Sequence, residues 1–195
     1  SNMVIDNVDA SRPSGKDRSG IYINNSSINS NVTVRNCNFN NYYRGMYITG
    51  GRDYTITNNS FLNSGYIADQ PAIYLSYIQS NSLPGGILMS GNTFGGTNAL
   101  SGVRFEHMRD LIIGDTSVVG RNITFEDNCG LNNHAYNSSS NGYNLIHLVN
   151  VNNATIDNVD VSRPVGATPA QDLTGIRIDN SSDYGPVTIK NCDAR

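Results

Sequence analysis

Along most of the chain, short runs in which apolar and polar residues alternate are separated by clusters of Asn, Ser, Gly and Asp. Alternation with period two predicts strands and not helices. One kind of run sets an apolar residue between polar ones and ends on a small polar residue, usually Asn. Its copies are Val4-Ile5-Asp6-Asn7, Thr33-Val34-Arg35-Asn36, Thr55-Ile56-Thr57-Asn58, Leu88-Met89-Ser90-Gly91, Thr124-Phe125-Glu126-Asp127, Thr155-Ile156-Asp157-Asn158 and Thr188-Ile189-Lys190-Asn191. A second kind usually reads Gly, apolar, large, apolar. Its copies are Gly20-Ile21-Tyr22-Ile23, Gly45-Met46-Tyr47-Ile48, Ala72-Ile73-Tyr74-Leu75, Gly102-Val103-Arg104-Phe105, Leu145-Ile146-His147-Leu148 and Gly175-Ile176-Arg177-Ile178. The two kinds alternate without exception, and one pair takes roughly 22 to 36 residues, the period of a repeat protein.

Strands of about four to six residues are too short to stand alone and must stack on their own copies. Stacking in register gives parallel sheets with a spacing of about 4.8 Å between rungs. In the first motif Ile5, Val34, Ile56, Met89, Phe125, Ile156 and Ile189 then form an inward apolar column. Phe39, Phe61 and Phe94 add a short aromatic stack. The recurrent Asn tolerates the left-handed backbone of a sharp bend, and its amide can bond to the next Asn above, as a ladder. The expected fold is all-β: a parallel β-helix, a solenoid of about six to seven rungs with an Asn ladder, spanning residues 1–195 as one domain. An antiparallel β-sandwich is the competing architecture.

These motifs resemble the right-handed parallel β-helix superfamily, which includes pectate-lyase-like proteins, polysaccharide hydrolases and phage tailspikes. The resemblance covers the whole chain and is architectural; right-handedness follows from it and from the general crossover preference. A longer repeat is superimposed: Val4 to Pro13 recurs as Thr155 to Pro164, and Val34-Arg35-Asn36-Cys37 as Ile189-Lys190-Asn191-Cys192. No capping helix is predicted at either end, and uncapped strand edges invite association. The chain is therefore expected to be an excised part of a longer one, with flanking domains or self-association covering the solenoid ends.

Composition narrows the function classes. The net charge is −3, charged residues make up 15%, and Lys occurs only at Lys16 and Lys190. With no basic stripe, nucleic acid is not an expected partner. No apolar stretch approaches the ~20 residues of a membrane span, so no membrane partner is expected. Cys37, Cys129 and Cys192 fall on different rungs, too far apart to bridge, and read as free thiols. No CxxC, HExxH or EF-hand spacing occurs, so no metal and no cofactor is expected; Ca2+ bound by Asp residues of adjacent rungs has no motif behind it.

Candidate chemistry lies on the outward side of the second motif. One column reads Tyr22, Tyr47, Tyr74, Arg104, His147, Arg177, and the next Asn24, Thr49, Ser76, Glu106, Val149, Asp179. Aromatic rings stack on sugar faces and Arg pairs with carboxylate or sulfate, so this face suits an acidic polysaccharide. The gap from Arg104 to His147 contains Asp110-Leu111-Ile112-Ile113-Gly114, a candidate third strand, and a polar loop with His134. Tyr22, Tyr47, Tyr74, Asp179 and His134 are candidate substrate-binding residues, and Arg104, Glu106, His147 and Arg177 candidate catalytic ones. Arg104 and His147 should lie about 5 Å apart on adjacent rungs.

Two mechanisms fit these residue types. A lyase needs a cation against a uronate carboxylate, here Arg104 or Arg177, and a base, here His147 or Tyr74. A hydrolase needs two carboxylates, here Glu106 with Asp179 or another loop Asp. The paired-Asp and Gly-His-Gly motifs of polygalacturonase-type hydrolases are absent, as are the Lys-based motifs of several β-helix lyases. The leading expectation is a carbohydrate-active β-helix that binds an acidic extracellular or cell-surface polysaccharide, with its cleavage as lyase or hydrolase left open. The rival is a non-catalytic structural or adhesive module, such as a phage tail shaft or surface repeat.

Overall fold

The structure, a computed structural model, describes residues 2–12, 19–25, 31–50, 53–65, 71–76, 86–95, 102–114, 123–125, 143–161 and 173–193. Every regular element among them is a strand, and no helix long and apolar enough to cross a membrane occurs among them. In chain order the strands are β1 (Asn2–Asp6), β2 (Ser19–Asn25), β3 (Asn31–Arg35), β4 (Arg44–Gly50), β5 (Tyr54–Thr57) and β6 (Ser60–Leu62). Next come β7 (Ile73–Ser76), β8 (Ile87–Ser90), β9 (Asn92–Gly95), β10 (Val103–Glu106) and β11 (Arg109–Ile113). The last are β12 (Ile123–Phe125), β13 (Tyr143–Val149), β14 (Asn152–Asp157), β15 (Leu173–Asp179) and β16 (Val187–Lys190).

They form three sheets, and all the strand pairs are parallel. The seven-stranded sheet runs β1-β3-β5-β8-β11-β14-β16, the six-stranded one β2-β4-β7-β10-β13-β15, and the three-stranded one β6-β9-β12. The chain moves from sheet to sheet and returns, so each strand pairs with those laid down on the previous and following passes. Identical positions therefore stack into columns. Ile5, Val34, Ile56 and Met89 are in one register, as are Met46, Ile73, Val103, Ile146 and Ile176.

The inward columns build the core. Val34, Ile56, Met89 and Ile156, like Ile48, Leu75, Phe105 and Leu148, are wholly buried. Phe39, Phe61 and Phe94 stack ring on ring at 5.5 and 5.2 Å. Each such buried side chain contributes about 1.5–3 kcal/mol of transfer free energy, which offsets the ordering of very short strands.

Two sequence expectations are corrected. The seven-stranded sheet takes its fifth strand from Arg109–Ile113, not from Thr124-Phe125-Glu126-Asp127. Ile113, not Phe125, stands between Met89 and Ile156, while Ile123–Phe125 joins the three-stranded sheet with Phe125 opposite Phe94. The physical reason is the bend before each strand. Asp53, Asp110 and Asn153 all have left-handed backbone (φ 57, 54 and 55°) immediately before the register partners Tyr54, Leu111 and Ala154.

The second correction concerns the ladder. The motif-ending residues do take the left-handed bend: Asn7, Asn36, Asn58, Asn158 and Asn191 have φ between 53 and 56°, and Gly91 has 65°. A Cβ on Gly91 would collide with the Asn58 side chain, which accounts for the glycine there. The buried amide ladder, however, lies one residue later. Asn92 Oδ1 accepts from the Asn59 backbone N–H and from Asn59 Nδ2, both at 3.0 Å, and Asn59 Oδ1 accepts from Cys37 N–H at 3.0 Å. Asn59 Nδ2 and Asn92 Nδ2 donate to the carbonyls of Val34 and Ile56, so these buried amides are satisfied. Cys37, in the same column, is a buried free thiol, and Cys192 is a half-buried one. Cys129 lies outside the described residues.

Candidate functional site

The six-stranded sheet sets the outward column. Register pairs Tyr22 with Tyr47, Tyr47 with Tyr74, Tyr74 with Arg104, Arg104 with His147, and His147 with Arg177. The neighbouring column runs Asn24, Thr49, Ser76, Glu106, Val149, Asp179 in the same register. All the candidate residues except His134, which lies outside the described residues, are thus on one face.

The column divides into two halves. In the first, the rings of Tyr22 and Tyr47 are 5.1 Å apart and tilted by 31°, and those of Tyr47 and Tyr74 are 5.3 Å apart and nearly parallel at 1°. The Arg44 guanidinium sits 4.6 Å from the Tyr47 ring centroid and 5.1 Å from that of Tyr74. The expected role of the rings changes accordingly. The faces of Tyr47 and Tyr74 are turned to each other and to arginine. Tyr22, 58% exposed, keeps an open face.

In the second half, charged groups pair with one another. Glu106 accepts from the Tyr74 hydroxyl at 2.6 Å and from the Ser76 hydroxyl at 3.4 Å, and meets the Arg104 guanidinium at 2.5 Å. Burial and the adjacent Glu106 push the Tyr74 phenol up to about 12. Tyr74 is therefore held as a hydrogen-bond donor, not as the base that a lyase mechanism asks of it. The Arg104 Nε is buried with no hydrogen-bond partner, as is that of Arg44.

Asp179 Oδ2 lies 2.8 Å from His147 Nε2 and 2.9 Å from Arg177 Nε. The outward alternation predicts an open His147, yet the side chain is buried. Burial lowers its pKa, outweighing the hydrogen bond to Asp179, which acts the other way; the Arg104 charge also lowers it. Burial would raise Asp179, but the bond from His147 and the Arg177 charge carry it below the usual carboxylate range. An ionised carboxylate only accepts hydrogen bonds, so Nε2 of the neutral imidazole carries the proton and Nδ1 is left as its basic nitrogen.

His107 belongs to the scaffold. It occupies a left-handed bend (φ 54°) that Asn150 (φ 52°) occupies after the next strand of the sheet, and its Nδ1 lies 3.3 Å from the Tyr184 hydroxyl. Arg44 is the residue that sequence reasoning missed. It precedes the second motif, and strict alternation would set it on the side of the buried Met46, away from Tyr47; the close approach of Gly45 to the Phe61 ring breaks that alternation, which the sequence does not signal. Among the described residues no group of three His, Cys, Asp or Glu gathers to hold a metal ion.

Comparison with family models, with curated proteins and with solved structures gave no match.

Proposed function

We propose that the chain is a right-handed parallel β-helix whose six-stranded face binds an extracellular or cell-surface polysaccharide. The regular return of the chain to three parallel sheets supports the helical winding. The outward columns support the ligand class: they set stacked phenols, the guanidinium groups of Arg104 and Arg177 and the carboxylates of Glu106 and Asp179 on one rigid sheet. Hydroxyl-rich rings are recognised by such mixtures of aromatic edges and charged hydrogen-bonding groups. An acidic glycan has to compete with Glu106 and Asp179 for Arg104 and Arg177, so its charge adds less affinity than two free arginines would supply.

If the face also cleaves its ligand, hydrolysis is favoured over elimination, and the carboxylate pair carries that reading. Glu106 and Asp179 share one column with Val149 between them, two strand spacings or about 9.6 Å apart at the backbone. That is near the upper end of the ~6.5–9.5 Å carboxyl separation of inverting glycosidases. The two cations assigned to a lyase, Arg104 and Arg177, are paired with Glu106 and Asp179, although the basic Nδ1 of His147 remains. The second reading is a non-catalytic structural or adhesive module. It is favoured by one observation: the carboxylates and guanidinium groups of the column already satisfy each other.

Binding to a panel of acidic and neutral polysaccharides, measured by calorimetry and followed by assays of reducing ends and of unsaturated product, tests the reading. Glu106→Gln and Asp179→Asn should each lower hydrolysis by about 10²–10⁴-fold with binding retained. No binding to any glycan by the folded chain would leave the structural module.

A further inference from the structure

The guanidinium groups of the six-stranded face are not equivalent. Arg104 meets Glu106 at 2.5 Å and Arg177 meets Asp179 at 2.9 Å, so each has a carboxylate of the same sheet as its counter-charge. The Arg44 guanidinium, by contrast, makes no ion pair and no hydrogen bond with another described residue. Rings hold it instead, at 4.6 Å from the Tyr47 centroid and 5.1 Å from that of Tyr74. The residue is half-buried, and of its three nitrogens only Nε is closed off from solvent. Contact with a ring uses the flat face of a guanidinium, whereas its N–H groups lie in its plane. The terminal nitrogens of Arg44 therefore keep their donors for an acceptor from outside the chain.

Local charge points the same way. Glu106 and Asp179 are compensated by Arg104 and Arg177, and the Tyr74 phenol, pushed up to about 12, adds no negative charge. Arg44 is then the uncompensated charge beside the tyrosines, in a chain whose net charge is −3. A guanidinium packed on rings is already oriented, so little of its rotamer freedom is lost when it takes a ligand. Its planar fork matches the paired oxygens of a carboxylate or of a sulfate ester. The next ring of the column, Tyr22, lies 5.1 Å from Tyr47 and is 58% exposed, which offers a flat surface to the sugar carrying that group.

We infer that Arg44 is the residue by which this face recognises the charge of its glycan. Its terminal nitrogens bind a uronate carboxylate or a sulfate ester while the sugar ring rests on Tyr22. This rests on the reading of the face as a polysaccharide-binding surface, and adds to it the class of sugar, an acidic one, and the residue that selects it. Arg104 and Arg177, tied to their own carboxylates, contribute hydrogen bonds and not the choice between charged and neutral sugars.

Calorimetric titration with polygalacturonate, alginate and dextran sulfate, each beside its carboxyl-reduced or desulfated form, tests the assignment. The charged member of a pair should bind more tightly, by a margin that shrinks as salt is raised. Arg44→Gln should lower affinity for the charged member by about 10–100-fold and that for the neutral member far less. Arg44→Lys keeps the charge without the fork and should recover part of the preference. Lys190→Gln removes the same charge from the seven-stranded sheet and should leave the preference as it is. Native circular dichroism checks the fold of each variant. A preference confined to the uronate pairs, or to the sulfate pair, supports the assignment and identifies the anion. Equal affinity for charged and neutral members, a charge preference that survives Arg44→Gln, or an equal loss of both members in that variant overturns it and leaves the binding face standing. A native chain that binds none of these glycans removes the binding face and this inference with it.

Discussion

Two aromatic stacks run through the molecule at almost the same spacing, one inside and one outside. Phe39, Phe61 and Phe94 lie 5.5 and 5.2 Å apart, and Tyr22, Tyr47 and Tyr74 lie 5.1 and 5.3 Å apart. The shared spacing comes from the strand spacing of a parallel sheet, not from the rings. What differs is water. The phenylalanines are wholly buried, so the whole of their transfer free energy goes to the fold. The tyrosines are half-buried or exposed, and the Tyr74 hydroxyl is bonded to Glu106. The same spacing thus goes with full burial in the stack along the three-stranded sheet and with partial exposure in the stack on the six-stranded sheet.

The largest test of that contrast is a pair of truncations. Phe61→Ala should cost about 3–5 kcal/mol, because the ring is enclosed by its two neighbours in a close-packed core. Tyr47→Ala should cost about 1–2 kcal/mol, the value of exposed ring and cation–π contacts. Urea unfolding of both variants measures the difference. Equal losses would make the outer stack a structural element and remove the main support for a binding face.

A smaller effect separates the tyrosine half of the outward column from its charged half. His147 has its pKa lowered from 6.5 in the folded chain. As pH falls, the unfolded chain takes up this proton first, so stability is complete above about pH 6.5 and declines as pH drops through and below that value. Asp179, lowered from 3.8, adds a second loss in the more acidic range. Thermal melting as a function of pH should show the first decline, and His147→Gln should abolish it while leaving the second. A melting temperature flat from about pH 7 to about pH 5 in the native chain would contradict a buried neutral imidazole.

The smallest expected change is that of Arg44→Ala, at about 0.5–1 kcal/mol for the loss of cation–π contact. Melting curves of this variant, alone and with Tyr47→Ala, should give less than additive losses, because both act on one contact.

Much of this architecture is legible in the sequence, and where it is not the reason is local. The second motif gives the register of all its copies, because alternation after its first residue leaves one frame, although it does not give the burial of His147. The first motif misleads once. Thr124-Phe125-Glu126-Asp127 matches its consensus better than Arg109–Ile113 does, yet the latter carries the strand of the seven-stranded sheet. A spacing signal was present: Ile48 and Tyr54, Phe105 and Leu111, and Leu148 and Ala154 are pairs with one common separation. The passes from Ile23 to Val32, Leu75 to Ile87 and Ile178 to Val187 are longer, so this separation is shared by some passes and not by all.

The alternation of apolar and polar residues determined by itself, with the exception of Ile113 and Phe125, which side chains stack in which column, since a strand has only two faces and a parallel ladder preserves position. It also determined that Tyr22, Tyr47, Tyr74, Arg104, His147 and Arg177 share one line. Only the tertiary structure decided what those side chains do with one another. The pairing of Arg104 with Glu106, the burial of His147 against Asp179 and the closing of the tyrosine faces by Arg44 depend on rotamers and on contacts between residues far apart in the chain. A column specifies neighbours; which of them hydrogen-bond, and which remain open to a ligand, is settled by the competition among them for the same few donors, acceptors and ring faces.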